Sequence, residues 1–406
     1  MVRMSDNHSY DAIVVGARCG GAATAMLLAR RGHRVLLVDR ATFPSDMPLS
    51  NHLVWPPGVA ALERWGLRDE LARTGCPALT SGTIDVGPFA LTGRFPPAGG
   101  VAEAYAPRRR ILDGILVEAA TRAGAELWEG CTVDGLLRTG DGETVRGIRG
   151  RVRGRTVEAR AAIVIGADGM RSTVARMVDA PTYHERPARQ GIYFTYWSGV
   201  PVAPAATLYS RPYRSVVTVP THDDLTVVSI SLPVDAFRAA RADIAGHYAR
   251  TLDEVAPDLA ERVRAGRREE RWIGAATPGF FRRPYGRGWA LVGDAGYVKD
   301  PCTAQGITDA FHHAELLTDA IDTGLRDPRA MHAALVGYEQ RRNDAVMAMY
   351  EFTWQRAALE PPTPQMQQLL LALRDDPART ELFFGVFTGS VAVADFFAAP
   401  AQQPAA

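Results

Sequence analysis

Three aspartates carry the first sign of chemistry in this chain. Asp39 follows the apolar run Val35–Val38, Asp168 follows Ala161–Gly166, and Asp294 follows Trp289–Gly293. An acid at the end of a buried strand is placed to hydrogen-bond a ligand lying across the carboxyl edge of a parallel sheet. The first of the three closes a longer pattern, Tyr10 to Asp39, reading YDAIVVGARCGGAATAMLLARRGHRVLLVD. Ala12–Val15 fits a buried strand and Gly16 a tight turn. Gly20 and Gly21 open a helix to about Arg31, Gly32 ends it, and Val35–Val38 is a second strand. Strand, glycine turn, helix, strand and acid make a βαβ unit for a dinucleotide, with the pyrophosphate at the helix N-terminus and the acid on the ribose. The G-x-G-x-x-G spacing puts its middle glycine at Arg18, whose side chain must therefore turn away from the phosphates or cover them.

The third aspartate opens the richest segment, GDAGYVKDPCTAQGITDAF, from Gly293 to Phe311. Pro301 sets a rigid turn, and Ala304-Gln305-Gly306 leads into a helix whose free N–H groups can hold developing negative charge. Gly306 lets the backbone approach a ligand closely. An isoalloxazine ring, whose N1–C2=O edge turns anionic on reduction, has those needs. Lys299, the sole lysine among 46 Lys and Arg residues, lies two positions before Pro301. There its amine either reaches the flavin edge or stands as an exposed charge. His52 follows Asp39 by one loop, as an acid, base or hydrogen-bond donor near neutral pH or as a solvated loop histidine.

These residues need elements to hold them. The pattern predicts helices over Pro57–Leu71 and about Arg110–Arg122, short strands and turns over 76–106, and antiparallel strands over Glu126–Arg160. From Arg186 the character changes. Ile192–Trp197 reads as a strand, Ser215–Val219 and Leu225–Leu232 as a hairpin, and Phe237–Arg264 as one helical stretch. Strands followed by helix indicate a separate sheet layer. Further helices are expected over Ile307–Asp322, Met331–Phe352 and Met366–Leu373, with a Phe/Val-rich patch at Phe383–Phe397 and a loose Ala/Gln/Pro tail.

Composition sets bounds. A chain of 406 residues, 47% hydrophobic, is long enough for two domains. A net charge of +1 argues against nucleic acid or a membrane surface as partner. No apolar run approaches the ~20 residues that span a bilayer, and the opening MVRMSDNHSY is not that of a signal peptide. Cys19, Cys76, Cys131 and Cys302 are scattered, which gives no zinc site, no metal and no disulfide framework, and fits a cytoplasmic enzyme.

Together the glycine turn at Gly16, the GADGMRS segment at Gly166–Ser172 and the Gly293-Asp294 segment resemble the three fingerprints of FAD-dependent aromatic hydroxylases. These are the single-component monooxygenases of the p-hydroxybenzoate hydroxylase type, whose superfamily includes flavin-dependent halogenases and geranylgeranyl reductases. The resemblance implies an α/β fold: a discontinuous Rossmann-like FAD-binding domain (8–75, 101–180 and 275–330), an inserted antiparallel β-sheet substrate domain (76–100 and 181–274), and C-terminal helices and tail (331–406). It implies that Gly16, Arg18, Gly20, Gly21, Asp39 and Arg40 surround the ADP half of FAD. Arg109, in an R-x-x-L-D pattern, would contact FAD, and Asp168 both FAD and the nicotinamide. Gly293 and Asp294 would hold the ribityl chain, with Pro301, Gly306 and Ile307 around the isoalloxazine.

The activity implied is a monooxygenase using NADPH or NADH and O2, through a flavin C4a-hydroperoxide, to hydroxylate or epoxidise an aromatic or polyketide-like small molecule of secondary metabolism. The strand bearing Tyr193, Tyr196 and Trp197 would roof that substrate, although a strand alternates its faces and part of the set must be core. His52 and Lys299 are the catalytic candidates, and a monomer or homodimer is expected. The alternatives are a reductase of carbon–carbon double bonds and a non-catalytic FAD-binding redox protein. A halogenase fits less well, since the Trp-x-Trp-x-Ile-Pro signature is missing.

Overall fold

The computed structural model describes residues 9–50 and 52–398; the opening residues, Asn51 and the Ala/Gln/Pro tail lie outside them. The first sheet is built on β1 (Ser9–Val15) and β2 (Val35–Val38), which run parallel to the strands Glu126–Trp128, Arg155–Gly166 and Trp289–Leu291. Their order across the sheet is 126–128, β2, β1, 155–166, 289–291. The chain winds outward from β1 to one side and then to the other, so a topological switch falls between β1 and 155–166, where such sheets bind ligands. β2 is buried on both faces, which is why its sequence is an unbroken apolar run.

One face of this sheet carries α1 (Cys19–Arg30) between the helices Arg109–Arg122 and Gly306–Arg326. Alanines 22, 23, 25 and 29 are all buried, and their small side chains let three helices crowd together. An antiparallel meander, Cys131–Arg138 and Val145–Val152 running into the first half of 155–166, covers the other face. The single helix expected over Pro57–Leu71 divides into α2 (Pro56–Arg64) and a short turn at Arg68–Ala72. Gly66, at φ +72°, is the left-handed residue that ends the first piece.

The second sheet has the order 267–268, 190–198, 226–233, 214–220, 206–211, 81–85, 90–94. Strands 81–85 and 90–94 enter it through a parallel pairing with 206–211. Its two faces have separate partners. Ile192, Phe194 and Tyr196 share a core with Trp55, Phe95 and Met349, while Tyr193, Val228 and Ile230 lie under the helices that follow. The helix expected over Phe237–Arg264 is three pieces, 234–239, 244–255 and 257–265. Asp243 caps the second by accepting from the Gly246 N–H at 2.8 Å, and Pro257 starts the third.

The Phe/Val-rich patch is helical and packed. Helices Pro364–Arg374, Pro377–Thr388 and Val393–Ala398 dock on the second sheet. Gly82 and Gly93 pair directly across two strands and leave a slot for Phe384; a Cβ on either would come within 2.6–2.8 Å of that ring.

Candidate functional site

The acid-ended strands β2, 155–166 and 289–291 belong to one parallel sheet, so Asp39, Asp168 and Asp294 gather at a single carboxyl edge. Two glycines there are demanded by packing. Gly16 has φ +103°, and a Cβ on it would meet the Ala167 carbonyl oxygen at 2.4 Å. A Cβ on Gly21 would lie 1.8 Å from the Gly16 oxygen. Gly20 is different: an added Cβ would meet Gly293 and Ala310 at 3.8 Å, an ordinary contact, so packing does not demand glycine there. Gly293, at φ +58°, makes the turn that aims Asp294 into the same space.

Arg18 turns away from the glycine turn. Its guanidinium donates to Asp113 at 2.7 Å and to the Ser45 Oγ and Asp46 carbonyl at 3.1 Å. Arg109 donates to both oxygens of the same aspartate, at 2.9 and 3.1 Å. Asp113 is fully buried and thus joins α1, the helix Arg109–Arg122 and the loop after β2. Asp39 accepts from the N–H groups of Ala17 at 2.7 Å and Ala41 at 2.8 Å, and Arg40 beside it is exposed. Asp168 accepts from the Ser172 hydroxyl and from the Thr173 N–H at 2.6 Å, holding its own loop closed. Arg282 then ties that loop to the next, donating to the Met170 and Ala295 carbonyls at 3.1 and 2.8 Å.

Asp294 is open to solvent yet ringed by protein, as a side chain on the floor of a cleft must be. The enclosure raises its carboxyl to about 6, against the pull of Arg109. Beyond it, Pro301–Thr303 forms a helical turn held by the Trp55 indole N–H on the Thr303 carbonyl at 2.9 Å. Gln305 gives its amide to the Phe387 carbonyl at 2.9 Å rather than capping the helix it precedes. Gly306 has nothing within 4 Å of where its Cβ would be, so the helix begins against open space. Pro301 is half-buried beside it, while the Ile307 side chain turns into the core.

A sequence model of the family described as FAD binding domain matches residues 9–353. The chain belongs to this family. It is similar to the digeranylgeranylglycerophospholipid reductase of Methanocella arvoryzae, 26% identical over 83% of each chain. It is also similar to the 6-methylpretetramide 4-monooxygenase of Streptomyces rimosus, 24% identical over 79% of this chain and 77% of that one. Among solved structures, the myxobacterial chondrochloren halogenase CndH shares the fold, with a TM-score of 0.79 at 24% identity over 94% and 92% of the two chains. The protein is an FAD-dependent oxidoreductase.

The cleft fits that cofactor. Neither α1 nor the helix at Gly306 has a side-chain cap on its first N–H groups; α1 has no acid in its first turn, and the first-turn acid of the other helix, Asp309, is paired with Lys299, so both offer donors to a ligand. Gly306 has open space where a side chain would stand, while added carbons at Gly20 and Gly293 would meet Ala310 at ordinary contact distances of 3.8 and 3.5 Å.

The remaining candidates divide sharply. His52 is buried at φ +70°, its Nε2 hydrogen-bonded to the Tyr196 hydroxyl and its Nδ1 without a partner among the described residues. Arg108 stacks on the Tyr196 ring, 4.1 Å from its centroid, and pairs with Asp46 at 3.1 Å and with Glu270. So His52 is a loop histidine but not a solvated one. Lys299 is not a mobile amine and not an exposed charge: it is buried and ion-paired with Asp309. Tyr193 and Trp197 fall on the face away from Tyr196, where Tyr193 donates to the Phe237 carbonyl at 3.0 Å and Trp197 to the Tyr248 hydroxyl at 3.2 Å. They are packing for the helices over that face, and only Tyr196 of the three looks toward His52.

Burial first, then the Arg109 guanidinium, holds the His52 ring at about 3 instead of 6.5. The folded protein therefore keeps it neutral while the unfolded chain takes up a proton below 6.5. By linkage this residue makes stability fall as pH falls through that window, approaching about 1.4 kcal/mol per pH unit. His52→Asn, which tolerates the left-handed backbone, should remove that slope in denaturant titrations between about pH 7 and 5; an unchanged slope would contradict the assignment.

Proposed function

We propose that this oxidoreductase is a monooxygenase that takes electrons from NADPH or NADH and places one atom of O2 on an aromatic or polyketide-like small molecule. The observation that carries the reading is the junction of the two sheets. The aromatic face of the second sheet meets the cofactor side through the buried His52–Tyr196 pair and through Trp55 on Thr303. Oxygen transfer needs a chamber closed to water, because water diverts reactive oxygen to waste. Reduced FAD supplies the reaction with O2, and the chain supplies position and proton control.

In this reading Gly16, Gly20, Gly21 and Asp39 hold the ADP half, Asp294 the ribityl hydroxyls, and Pro301 and Gly306 the ring edge. Arg18 and Arg109 act at one remove, by fixing the N-terminus of α1 through Asp113. Asp168 acts through its loop. His52, held neutral and bonded to Tyr196, is suited to orient substrate by a hydrogen bond rather than to take up a proton. Lys299 has no step to perform. Residues 9–75, 101–180 and 275–330 form the cofactor part and 76–100 with 181–274 the substrate part, and the chain works in the cytoplasm. Among the described residues no helix is long and apolar enough to cross a membrane.

Asp294→Ala should loosen FAD by about tenfold, the worth of one hydrogen bond from a charged group. Fluorescence titration of apoprotein with FAD measures it, and unchanged affinity would remove Asp294 from the site. The second reading, reduction of a carbon–carbon double bond, draws on the similarity to the archaeal reductase. An oxygen electrode separates the two: substrate-stimulated NAD(P)H oxidation that continues without O2 supports the reductase.

A further inference from the structure

Asp300 stands immediately before the Pro301–Thr303 turn and is 6% exposed. Its Oδ1 accepts from the Gln190 amide at 2.6 Å and from the Cys302 N–H at 3.0 Å, which accounts for the capping of that turn. Its Oδ2 has no partner among the described residues, and neither has the Gln190 Oε1. A buried carboxylate oxygen left this way is costly unless something donates to it.

Asp300 lines a small recess together with Arg186, Arg189, Lys299, Tyr350 and Trp354. Its enclosed space is about 10 Å³, room for about one water and far below the roughly 300–1,000 Å³ of sites that enclose a whole ligand. The cations around it are already engaged. Arg186 pairs with Glu351 at 2.8 Å, Arg189 with Glu360 at 2.9 Å, and Lys299 with Asp309. The two guanidinium groups lie 4.8 and 4.7 Å from the centroid of the Trp354 ring and hold it in place. An anion therefore meets neutralised arginines and a buried carboxyl, and gains little. The lining residues bring one buried acceptor without a partner among the described residues, Asp300 Oδ2, and two such donors, the Trp354 indole N–H and the Arg186 Nε–H. A hydroxyl matches that set, since it donates once, accepts twice and is no larger than water.

We propose that this recess, on the turn leading to Gly306, binds the hydroxyl head of the substrate, with Asp300 accepting its proton-bearing side and Trp354 and Arg186 donating to its oxygen. The proposal rests on the monooxygenase reading only for the word substrate. Burial raises the Asp300 carboxyl to about 6, so it is an acceptor at neutral pH.

The test is a calorimetric titration of FAD-loaded protein, without NAD(P)H, using phenol as probe and anisole as the same ring with its hydroxyl blocked. Phenol should bind about tenfold more tightly than anisole, the value of one well-made hydrogen bond. Asp300→Ala should bring phenol down to the anisole level while leaving anisole unchanged. Trp354→Phe, which keeps the ring between the arginines but removes the indole N–H, should weaken phenol several-fold and leave FAD content untouched. It decides the matter if Asp300→Ala fails to fold. Equal affinity for phenol and anisole, or phenol binding indifferent to both substitutions, overturns the proposal. Because no turnover is involved, either result leaves the oxygen-transfer reading to its own experiment.

Discussion

Replacing Asp113 with alanine is expected to cost about 3–5 kcal/mol and to empty the protein of FAD. Asp113 is the carboxylate ion-paired with both Arg18 and Arg109, and it also accepts from the Cys19 thiol at 3.3 Å. Its loss leaves two largely buried guanidinium groups with their principal counter-ion gone, and breaking a buried pair from one side costs far more than the pair is worth. The damage also propagates. Arg18 is the residue just before α1, so freeing it releases the helix N-terminus from the loop 43–46 that follows β2. Asp113→Asn keeps the shape and one acceptor and should fall between wild type and alanine. Denaturant unfolding and the flavin-to-protein ratio report the two effects. An alanine variant within 1 kcal/mol of wild type, still yellow, would mean that the triad is not what fixes the site.

Gly21→Val is expected to have the second largest effect, a loss of about 3 kcal/mol or more together with FAD binding. Gly21 sits where α1 meets the β1 turn, and even the first added carbon would lie 1.8 Å from the Gly16 oxygen and 2.9 Å from the Ala167 Cβ. Both obstacles belong to the strand ends that make the switch point, so neither can move without opening the sheet there. Overpacking of this kind ordinarily costs about 1–3 kcal/mol, and more when backbone is the obstacle. Gly20→Ala is the control: its Cβ would make ordinary contacts at 3.8 Å, so stability should hold while FAD affinity falls. If Gly20→Ala and Gly21→Val lost stability equally, the division of labour between packing glycine and cofactor glycine would be wrong.

The first βαβ unit was legible because its strands are buried on both faces and its glycines punctuate them. That makes Tyr10–Asp39 a local pattern. The same holds for the acids Asp39, Asp168 and Asp294, each placed by the strand before it. Where Arg18 points was not legible, since its partner Asp113 comes from a helix far along the chain. Asp113 was visible only as the last letter of R-x-x-L-D, and Arg108, next to Arg109, gave no sign of stacking on Tyr196. Periodicity announced that Tyr193, Tyr196 and Trp197 split between two faces, yet which face meets the cofactor depends on where the second sheet is docked. Lys299 misled through rarity: a single lysine drew notice, but Asp309, ten residues later on the next helix, neutralises it. The docking of Phe384 on the Gly82–Gly93 pair is wholly non-local, so the C-terminal helices could be foreseen as elements but not as a cover for the second sheet.

The central claim is that this FAD-dependent oxidoreductase inserts oxygen. The most direct measurement supplies the FAD-loaded protein with NADPH or NADH, a panel of phenolic and polyketide-like compounds and heavy-isotope O2, and weighs the products. A monooxygenase yields a product that carries one heavy oxygen atom, formed only when O2 and the nicotinamide are both present. A product gaining two hydrogens and no heavy oxygen, formed equally well under argon, would contradict it and point to double-bond reduction.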